Sequence, residues 1–308
     1  MTAVGVLDGK AVVITGAGRG LGEAYAVHAA QAGAAVVVND LDAELAEAVA
    51  GRIVAHGGRA VASAVSVADP DQAGGIVAQC LAEFGRLDGL VNNAGVSYQA
   101  RPWEEDLGAV RELIEVNVLG VLYCGIAAAR VMRAQHAGSI INISSGSSFG
   151  QHAMGTYAAS KGAVASLTYS WALDLAEEGV RVNGVCPLAW TRLVEAHAAA
   201  HARVTRQRTP DRVAPLITYL LSDRAEGITG QLIRFTGDQL HIVCQPTIKD
   251  PVLQRASWTT EDIAAAFDEV LDRHLEPFGL DKRLPPRQRI APPIRPDEPA
   301  CQQHTAGS

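Results

Sequence analysis

Short apolar runs alternate with helical patterns along most of the chain, and this alternation limits the fold more than any other feature of the sequence. Apolar runs rich in β-branched residues stand at 11–14, 35–38, 59–66, 87–91, 140–143 and 180–186. Helical patterns fill the intervals. The first ends at Gly33, and the others stand at 42–56, 70–84, 104–136 and 157–177. Apolar strands that alternate with amphipathic helices form a parallel sheet covered on both faces. The pattern therefore predicts an α/β fold with a doubly wound parallel sheet, which binds ligands at the carboxyl ends of its strands.

The alternation stops near residue 240, and the rest of the chain has a different character. One further helix is predicted over 259–275, with Thr259 as its cap. Its apolar stripe consists of Ile263, Phe267, Val270 and Leu271. Six prolines between 285 and 299 exclude regular helix or central strand there. We predict a main domain over 1–240, a helical extension over 241–284 and a proline-rich tail over 285–308.

Composition and charge exclude several classes of protein. Hydrophobic residues make up 48% and charged residues 19% of the chain, which is a globular composition. The net charge of −7 argues against a nucleic-acid-binding surface. The cysteines form no Cys-x-x-Cys pair, and His197 and His201 lack the glutamate of a zinc-protease helix, so no disulfide framework and no metal is expected. No signal-peptide pattern or membrane-length apolar run is present, which predicts a soluble, cytoplasmic protein with no membrane partner.

A glycine-rich turn directly follows the first strand. Residues 15–22 read Thr-Gly-Ala-Gly-Arg-Gly-Leu-Gly and open a helix. Glycines let the backbone approach a pyrophosphate closely, and the helix N-terminus offers the anion unpaired N–H groups. The strand before the turn, the helix after it and an acid at the end of the next strand together predict a nucleotide-binding, Rossmann-like domain.

That acid is Asp40. A carboxylate at this position accepts hydrogen bonds from the hydroxyls of an adenosine ribose and repels a 2′-phosphate, so NAD is favoured over NADP. Arg19 is the counter-argument, because its guanidinium could pair with that phosphate. Asp40 could also cap the helix that follows it.

Tyr157 and Lys161 are four residues apart in a helical pattern, which places both on one helix face. An ammonium group one turn away stabilises a phenolate and lowers the pKa of the tyrosine. A serine hydroxyl nearby could hold a substrate oxygen as its charge changes. Without further context, a pair of this spacing is usually a plain surface pair. Candidate serines just past the strand at 140–143 are Ser144, Ser145, Ser147 and Ser148.

Over residues 8–237 the chain resembles the short-chain dehydrogenase/reductase family. The matching motifs stand in family order: Thr15-Gly16 through Gly22, Asn92-Asn93-Ala94-Gly95, Asn117, Ser145, Tyr157 with Lys161, and Cys186-Pro187 leading to Thr191. The residues from Val36 to Leu41 and the extension at 241–275 are similar to one subgroup. It contains the (3R)-hydroxyacyl-CoA dehydrogenase part of multifunctional β-oxidation enzymes and bacterial enzymes that act on steroids or acyl-CoA.

The resemblance implies a catalytic role for four residues. Tyr157 is the general acid/base, and Lys161 lowers its pKa and binds the nicotinamide ribose. Ser145 positions the substrate carbonyl or hydroxyl. Asn117 holds a helix kink and a water of the proton relay.

The resemblance also implies a set of cofactor-binding residues. Among them, Thr191 meets the carboxamide of the nicotinamide, and the residues at 93–95 line the cofactor. The full set is Gly16, Arg19, Gly20, Leu21, Asp40, Leu41, Val67, Asn93, Ala94, Gly95, Tyr157, Lys161, Pro187 and Thr191.

Two departures from the family pattern concern the site. With Ser145 aligned, the segment between the serine and Tyr157 is one residue shorter than usual; Ser144 keeps the usual spacing but falls earlier relative to the strand. We favour Ser145. The aspartate that contacts adenine in the family is replaced by Ser66, which leaves the backbone at Val67 for that contact.

We therefore predict an NAD(H)-dependent oxidoreductase that interconverts a secondary alcohol and a ketone, with hydroxyacyl-CoA and hydroxysteroids among the candidate substrates. The alternatives are an NADPH-dependent carbonyl reductase and a non-catalytic nucleotide-binding sensor, although a sensor needs no Asn-Ser-Tyr-Lys set. The resemblance implies a homotetramer or homodimer that pairs through the helices at 104–136 and 157–177, which carry many small residues.

Overall fold

The computed structural model describes residues 5–195 and 204–289. The chain divides into two compact units, Met1–Pro246 and Thr247–Ser308. The domain limits predicted at 240 and 284 stay predictions. His197, His201 and the prolines from 292 onward lie outside the described residues.

One sheet of eight strands organises the first unit. The strands are β1 Ala11–Ile14, β2 Ala35–Asn39, β3 Arg59–Ser63, β4 Gly89–Asn92, β5 Gly138–Ile143, β6 Val180–Pro187, β7 Leu232–Phe235 and β8 Leu240–Ile242. Their order in the sheet is β3-β2-β1-β4-β5-β6-β7-β8, and every neighbouring pair is parallel except β7 and β8. The predicted doubly wound parallel sheet is confirmed. The sequence patterns did not predict β7 and the antiparallel β8.

Helices cover both faces of this sheet. They are α1 Gly20–Gln31, α2 Ala43–Ala55, α3 Pro70–Phe84, α4 Leu107–Ile114, α5 Gly120–Gln135, α6 Gly155–Leu175, α7 Arg192–Glu195 and α8 Ala214–Leu221. One core contains buried residues of α1, α2 and α8, and the other contains buried residues of α3, α5 and α6.

The strand β1 shows why the central strands are apolar throughout. Val12 and Ile14 pack in the first of these cores, and Val13 packs in the second. A strand covered on both faces cannot alternate apolar and polar residues. Ile14 pairs with Val38 of β2 and with Val91 of β4, all in parallel. The residues that follow these three strands therefore lie at one edge of the sheet.

The helical region predicted over 104–136 contains α4 and α5, and the family resemblance implied a helix kink at Asn117. Between α4 and α5 lies a π-helical turn, Glu115–Leu119. A π-turn inserts one extra residue into the helical repeat and often marks a functional site. In the part of the chain that the structure describes, Leu107–Gln135 is the one helical stretch that passes a length and hydropathy test for a membrane span. Core helices pass the same test, and α5 contributes Cys124, Ala128 and Met132 to the second core.

The second unit contains α9, Thr260–Glu269. Thr259 caps this helix as predicted. Its Oγ1 accepts from the backbone N of Asp262 at 3.1 Å, and the Asp262 carboxylate accepts from the backbone N of Thr259 at 3.1 Å. The helix ends earlier than predicted, and a 3₁₀ turn, Leu271–His274, follows it. Ile263 of the predicted stripe lines a small apolar cleft within this unit.

Candidate active site

The glycine-rich turn connects β1 to α1 at the carboxyl edge of the sheet. Gly16 and Gly20 have left-handed φ angles of 61° and 62°, which favour glycine. A Cβ on Gly16 would stand 2.7 Å from the Cα of Ala94. Beyond its chain neighbours and the nearby backbone of its own helix, no atom of the described residues lies within 4 Å of where a Cβ on Gly20 would stand. No side chain from the described ranges caps the first turn of α1. The first turn of α1 therefore leaves backbone N–H groups for an anionic phosphate.

The residues after β4 hold the glycine-rich turn in place. The side-chain Nδ2 of Asn93 donates to the carbonyl oxygens of Thr15 and Gly16, both at 2.9 Å. The backbone N atoms of Asn93 and Ala94 each donate to the Thr15 Oγ1 at 3.0 Å. Asn93 and Ala94 thus lie against the turn.

Asp40 follows β2 and stands beside the same turn. Its Oδ2 accepts from the backbone N of Gly18 at 2.9 Å, and its Oδ1 accepts from the backbone N of Asp42 at 3.1 Å. A Cβ on Gly18 would come within 2.8 Å of the Asp40 Oδ2, so glycine is needed for this approach. The alternative role considered for Asp40, as the cap of the following helix, is wrong. Asp42 caps α2, and its side chain accepts from the backbone N of Leu45 at 3.3 Å.

Further residues of the predicted cofactor site lie around this edge. Arg19 is exposed at the start of α1, and Leu41 is 76% exposed. Leu21 packs against the first core. Val67 is buried. The Ser66 hydroxyl accepts a hydrogen bond from the backbone N of Ala68 at 3.1 Å.

Pro187 and Thr191 lie at and just after the carboxyl end of β6. Pro187 is the last residue of β6 and pairs with Phe235 of β7. Thr191 stands directly before α7, and its carbonyl oxygen accepts from the backbone N atoms of Val194 and Glu195, both at 2.9 Å. The parallel strands therefore bring these residues to the edge that carries the glycine-rich turn.

Tyr157 and Lys161 lie one turn apart on α6, as their spacing predicted. The Lys161 Nζ donates to the carbonyl oxygen of Ile143 at 2.8 Å and stands 5.8 Å from the centre of the Tyr157 ring. Burial lowers the pKa of Lys161 to about 8. Burial also raises the pKa of Tyr157, and a hydrogen bond with Ser145 opposes that effect. The expected lowering of the Tyr157 pKa is not found in the protein alone, because burial of the phenol dominates.

The two serines after β5 point to different partners. The Ser145 hydroxyl lowers the pKa of the Tyr157 phenol, and its Oγ donates to the Ser147 Oγ at 3.2 Å. Ser147 donates onward to the Oε1 of Gln151 at 2.7 Å. The Ser144 Oγ is buried and donates to the carbonyl oxygen of Lys161 at 2.8 Å. Successive side chains of an extended backbone point to opposite sides, so Ser145 and not Ser144 meets the phenol.

Asn117 lies in the π-turn and is fully buried. Its Oδ1 accepts from the backbone N of Val96 at 2.8 Å, and its Nδ2 donates to the Val96 carbonyl at 2.9 Å and to the Ser160 Oγ at 3.2 Å. A Cβ on Gly95 would stand 3.2 Å from the Asn117 Oδ1 and 3.6 Å from the Lys161 Nζ. Asn117, Gly95 and Lys161 therefore converge on one small region.

Sequence reasoning missed a polar cluster next to Tyr157. The hydroxyls of Tyr98 and Thr156 donate to the two carboxylate oxygens of Glu105. The partners are seven and 51 residues from Glu105, so no local spacing reveals them. The one local sign is that Glu105 directly precedes Asp106, which caps α4.

A sequence model of the family described as short chain dehydrogenase matches residues 10–199. The match spans more than half of the chain and includes the glycine-rich turn, Ser145, Tyr157 and Lys161. The chain belongs to the short-chain dehydrogenase family. The resemblance inferred from the order of the motifs is confirmed, and the protein is an oxidoreductase that acts on CH–OH groups.

Individual short-chain dehydrogenases are similar over nearly their whole length. The cis-4-hydroxycyclohexanecarboxylate dehydrogenase of Sinomonas cyclohexanicum is 39% identical over 238 residues, which are 74% of this chain and 95% of that one. A short chain dehydrogenase structure from Mycobacterium avium has a TM-score of 0.78 and 30% identity, covering 87% of this chain and 96% of the other. A gluconate 5-dehydrogenase from Burkholderia cenocepacia J2315, in complex with NADP and tartrate, has a TM-score of 0.70 and 34% identity, covering 75% and 95%.

Proposed function

We propose that this short-chain dehydrogenase interconverts a secondary alcohol and a ketone with NAD(H) as its cofactor. The observation that carries the proposal is the meeting of Tyr157, Ser145 and Lys161 at the sheet edge that also holds the glycine-rich turn. A phenol beside a serine hydroxyl can hold a substrate oxygen between them. The same phenol can donate or accept the proton of that oxygen.

The chain's own residues move the proton and hold the oxygen. In alcohol oxidation the Tyr157 oxygen takes the substrate's hydroxyl proton, and in ketone reduction it returns one. Ser145 hydrogen-bonds the substrate oxygen while its charge changes. The nearby Lys161 ammonium favours the phenolate form of Tyr157. When bound, the nicotinamide supplies or takes the hydride. Asn117 fixes the backbone at Val96 beside the reacting groups.

The residues present fit a nicotinamide dinucleotide. The uncapped first turn of α1 would hold the pyrophosphate, with Arg19 beside it, and Asp40 would accept from the adenosine ribose. Tyr157 and Lys161 would face the nicotinamide ribose. The other residues proposed to line the cofactor are Gly16, Gly20, Leu21, Leu41, Val67, Asn93, Ala94, Gly95, Pro187 and Thr191.

The charge at Asp40 supports NAD over NADP. Both carboxylate oxygens are fixed by backbone N–H groups, so the negative charge is held beside the turn. A 2′-phosphate would meet that charge. The alternative, an NADPH-dependent carbonyl reductase, is favoured by the exposed Arg19 and by the NADP in the Burkholderia relative.

Relatives suggest cyclic secondary alcohols as a substrate class. The Sinomonas relative is named for a hydroxycyclohexanecarboxylate, and a 7alpha-hydroxysteroid dehydrogenase of Escherichia coli is 32% identical over 241 residues. Both substrates carry a secondary hydroxyl on a saturated ring. We propose such alcohols, together with hydroxyacyl-CoA, as the first compounds to assay.

Cofactor preference tests the proposal. With a ring alcohol as substrate, the wild-type enzyme is expected to have a higher kcat/KM with NAD than with NADP. The paired change Asp40→Ser and Leu41→Arg removes a carboxylate and adds a guanidinium, so it should shift that ratio toward NADP by about tenfold or more, equivalent to about 1.4 kcal/mol. Steady-state kinetics with both cofactors side by side measure the shift.

Asp42→Ser is the matched control for this experiment. Asp42 is the neighbouring carboxylate, but it caps α2, and serine caps a helix about as well as aspartate, so both the stability and the cofactor ratio should stay near wild type. A wild-type enzyme that already prefers NADP would contradict the role of Asp40.

We also propose that the protein is cytoplasmic and assembles as a homotetramer or homodimer through α5 and α6. Small residues on exposed positions of these helices support close helix approach, as at Ala159 and Ala163 of α6.

A further inference from the structure

One carboxylate outside the Tyr157–Lys161 pair joins two elements of the site. The Oε2 of Glu105 accepts from the Tyr98 hydroxyl at 2.7 Å, and its Oε1 accepts from the Thr156 hydroxyl at 2.8 Å. Tyr98 belongs to the segment after β4, and Thr156 directly precedes Tyr157 in the first turn of α6. Glu105 therefore ties that segment to the turn that carries the phenol.

Backbone contacts reinforce the same junction. The backbone N of Ala100 donates to the Ala153 carbonyl at 2.9 Å, and Ala100 forms an isolated parallel bridge with Met154. At its other end, the segment is fixed where Val96 bonds to the Asn117 side chain. The residues from 96 to 105 thus connect Asn117 to the start of α6.

The start of α6 lacks the support that a helix usually has. Met154 occupies the N-cap position and, within the described residues, no side chain caps the helix there. The preceding residue, Ala153, has a φ of 55°, a conformation that costs energy for a residue with a Cβ. A carboxylate near a helix N-terminus stabilises it through the helix dipole. Glu105 supplies a negative charge here and a fixed hydrogen bond to Thr156.

We propose that Glu105 is a positioning residue that fixes the Tyr157 phenol for proton transfer by holding Thr156 and Tyr98 with its two oxygens. This inference rests on the proposed role of Tyr157. Misplacement of a reacting group by about 1 Å can cost on the order of 100-fold in rate. Loss of the Glu105 carboxylate should therefore lower kcat while leaving the cofactor site intact, because the glycine-rich turn and Asp40 are held by other contacts.

The test compares variants of the full-length enzyme in NAD-dependent oxidation of a ring alcohol. Glu105→Ala removes both hydrogen bonds, and Thr156→Val removes one of them without changing the shape of the side chain. Each is expected to lower kcat by about tenfold or more, with NADH affinity within about twofold of wild type. Thr156→Ser keeps the hydroxyl and should retain most of the wild-type kcat.

Two further measurements separate positioning from general destabilisation. Glu104→Ala is the matched control, because the neighbouring Glu104 accepts only one weaker bond in the described part of the chain, from the backbone N of Arg101 at 3.2 Å; its kcat should stay near wild type. Glu105→Ala combined with Thr156→Val should be no slower than Glu105→Ala alone, since both changes break the same contact. If Glu105→Ala fails to fold, the Thr156→Val and Thr156→Ser pair still decides the question.

Three results would overturn the role of Glu105. They are a kcat within about twofold of wild type in both Glu105→Ala and Thr156→Val, a loss in Thr156→Ser as large as in Thr156→Val, and a matched fall in NADH affinity and kcat. Tyr157→Phe is run in parallel. If Tyr157→Phe loses turnover and the Glu105 variants do not, only this inference fails; if Tyr157→Phe keeps turnover, the proposed function fails and the role of Glu105 fails with it.

Discussion

Lys161 carries an ammonium group into a nearly closed part of the protein. The residue is 4% exposed, and its Nζ donates to the carbonyl oxygen of Ile143. Burial lowers its pKa from 10.5 to about 8, which corresponds to about 3 kcal/mol of penalty on the charged form. In the cofactor-free protein, the buried cation beside Tyr157 thus lowers the stability of the fold. Destabilising groups of this kind are common at functional sites.

Lys161→Met should therefore stabilise the cofactor-free protein while it removes activity. The lost hydrogen bond of the charged ammonium costs about 2 kcal/mol, which leaves a net gain of about 1 kcal/mol at pH 7. As pH rises from 8 toward 10.5, the wild-type lysine loses its proton in the folded state before the unfolded state does. Wild-type stability rises over that window, so the difference from the variant should shrink.

Thermal unfolding at pH 7 and at pH 9.5 measures both effects. The same change at the exposed Lys249 is the control and should not raise the unfolding temperature. A Lys161→Met protein that unfolds at or below the wild-type temperature at pH 7 would show that burial of this charge costs little.

The sequence predicted those site residues that are close to one another in the chain or that belong to a recognisable motif. Tyr157 and Lys161 share a helix turn, and Asp40 follows a strand by pattern alone. Glu105 could not be predicted in this way, because its partner Thr156 is 51 residues distant and their contact depends on how α6 packs. The choice between Ser144 and Ser145 also needed the fold, since it depends on which side of the backbone faces the phenol.

Apart from Asp174 near the end of the helix, the exposed face of α6 is made of small and apolar side chains. Its residues are Ala159, Ala163, Ser166, Ser170 and Leu173, spaced alternately four and three apart. Leu173 is 81% exposed within a single chain. An uncharged stretch of helix surface at this spacing allows another helix to approach closely. This element supports the proposed pairing of copies through α6.

Leu173→Glu should break that assembly. A charge placed in a helix–helix contact loses its hydration without gaining a partner, which destabilises the contact. Light scattering should show the native mass of the variant falling to half of the wild-type mass or less. Val54→Glu, at a 52% exposed position on α2, is the matched control and should keep the wild-type mass. A wild-type mass of 32.3 kDa, that of one chain, would contradict the assembly itself.

At the level of elements, apolar runs predicted the central strands well, because strands covered on both faces have a continuous signal. Hydropathy did not reveal the π-turn at Asn117, because inserting one residue does not change the hydropathy of a long apolar helix; a helix kink there was expected only from the family resemblance. The short strand β8 was not predicted because all three of its residues are exposed. A strand without a buried face has no apolar pattern that the sequence could show.

The whole molecule is larger than the relatives that it matches. The Sinomonas enzyme is covered over 95% of its length by 74% of this chain, so about a quarter of the chain lies outside that alignment. The 238 aligned residues are close in number to the first compact unit, which holds the proposed site. The second unit has its own capped helix.

Turnover of NAD by wild-type protein and by Tyr157→Phe, measured on the full-length chain with a panel of ring alcohols, tests the central claim most directly. The wild type should produce NADH with at least one alcohol, which also excludes a non-catalytic sensor. Tyr157→Phe keeps the ring but lacks the proton-carrying oxygen, so its kcat should fall by about 100-fold or more while NADH affinity stays within about twofold. A variant that retains more than about a tenth of the wild-type kcat would contradict the role of Tyr157 as the general acid/base.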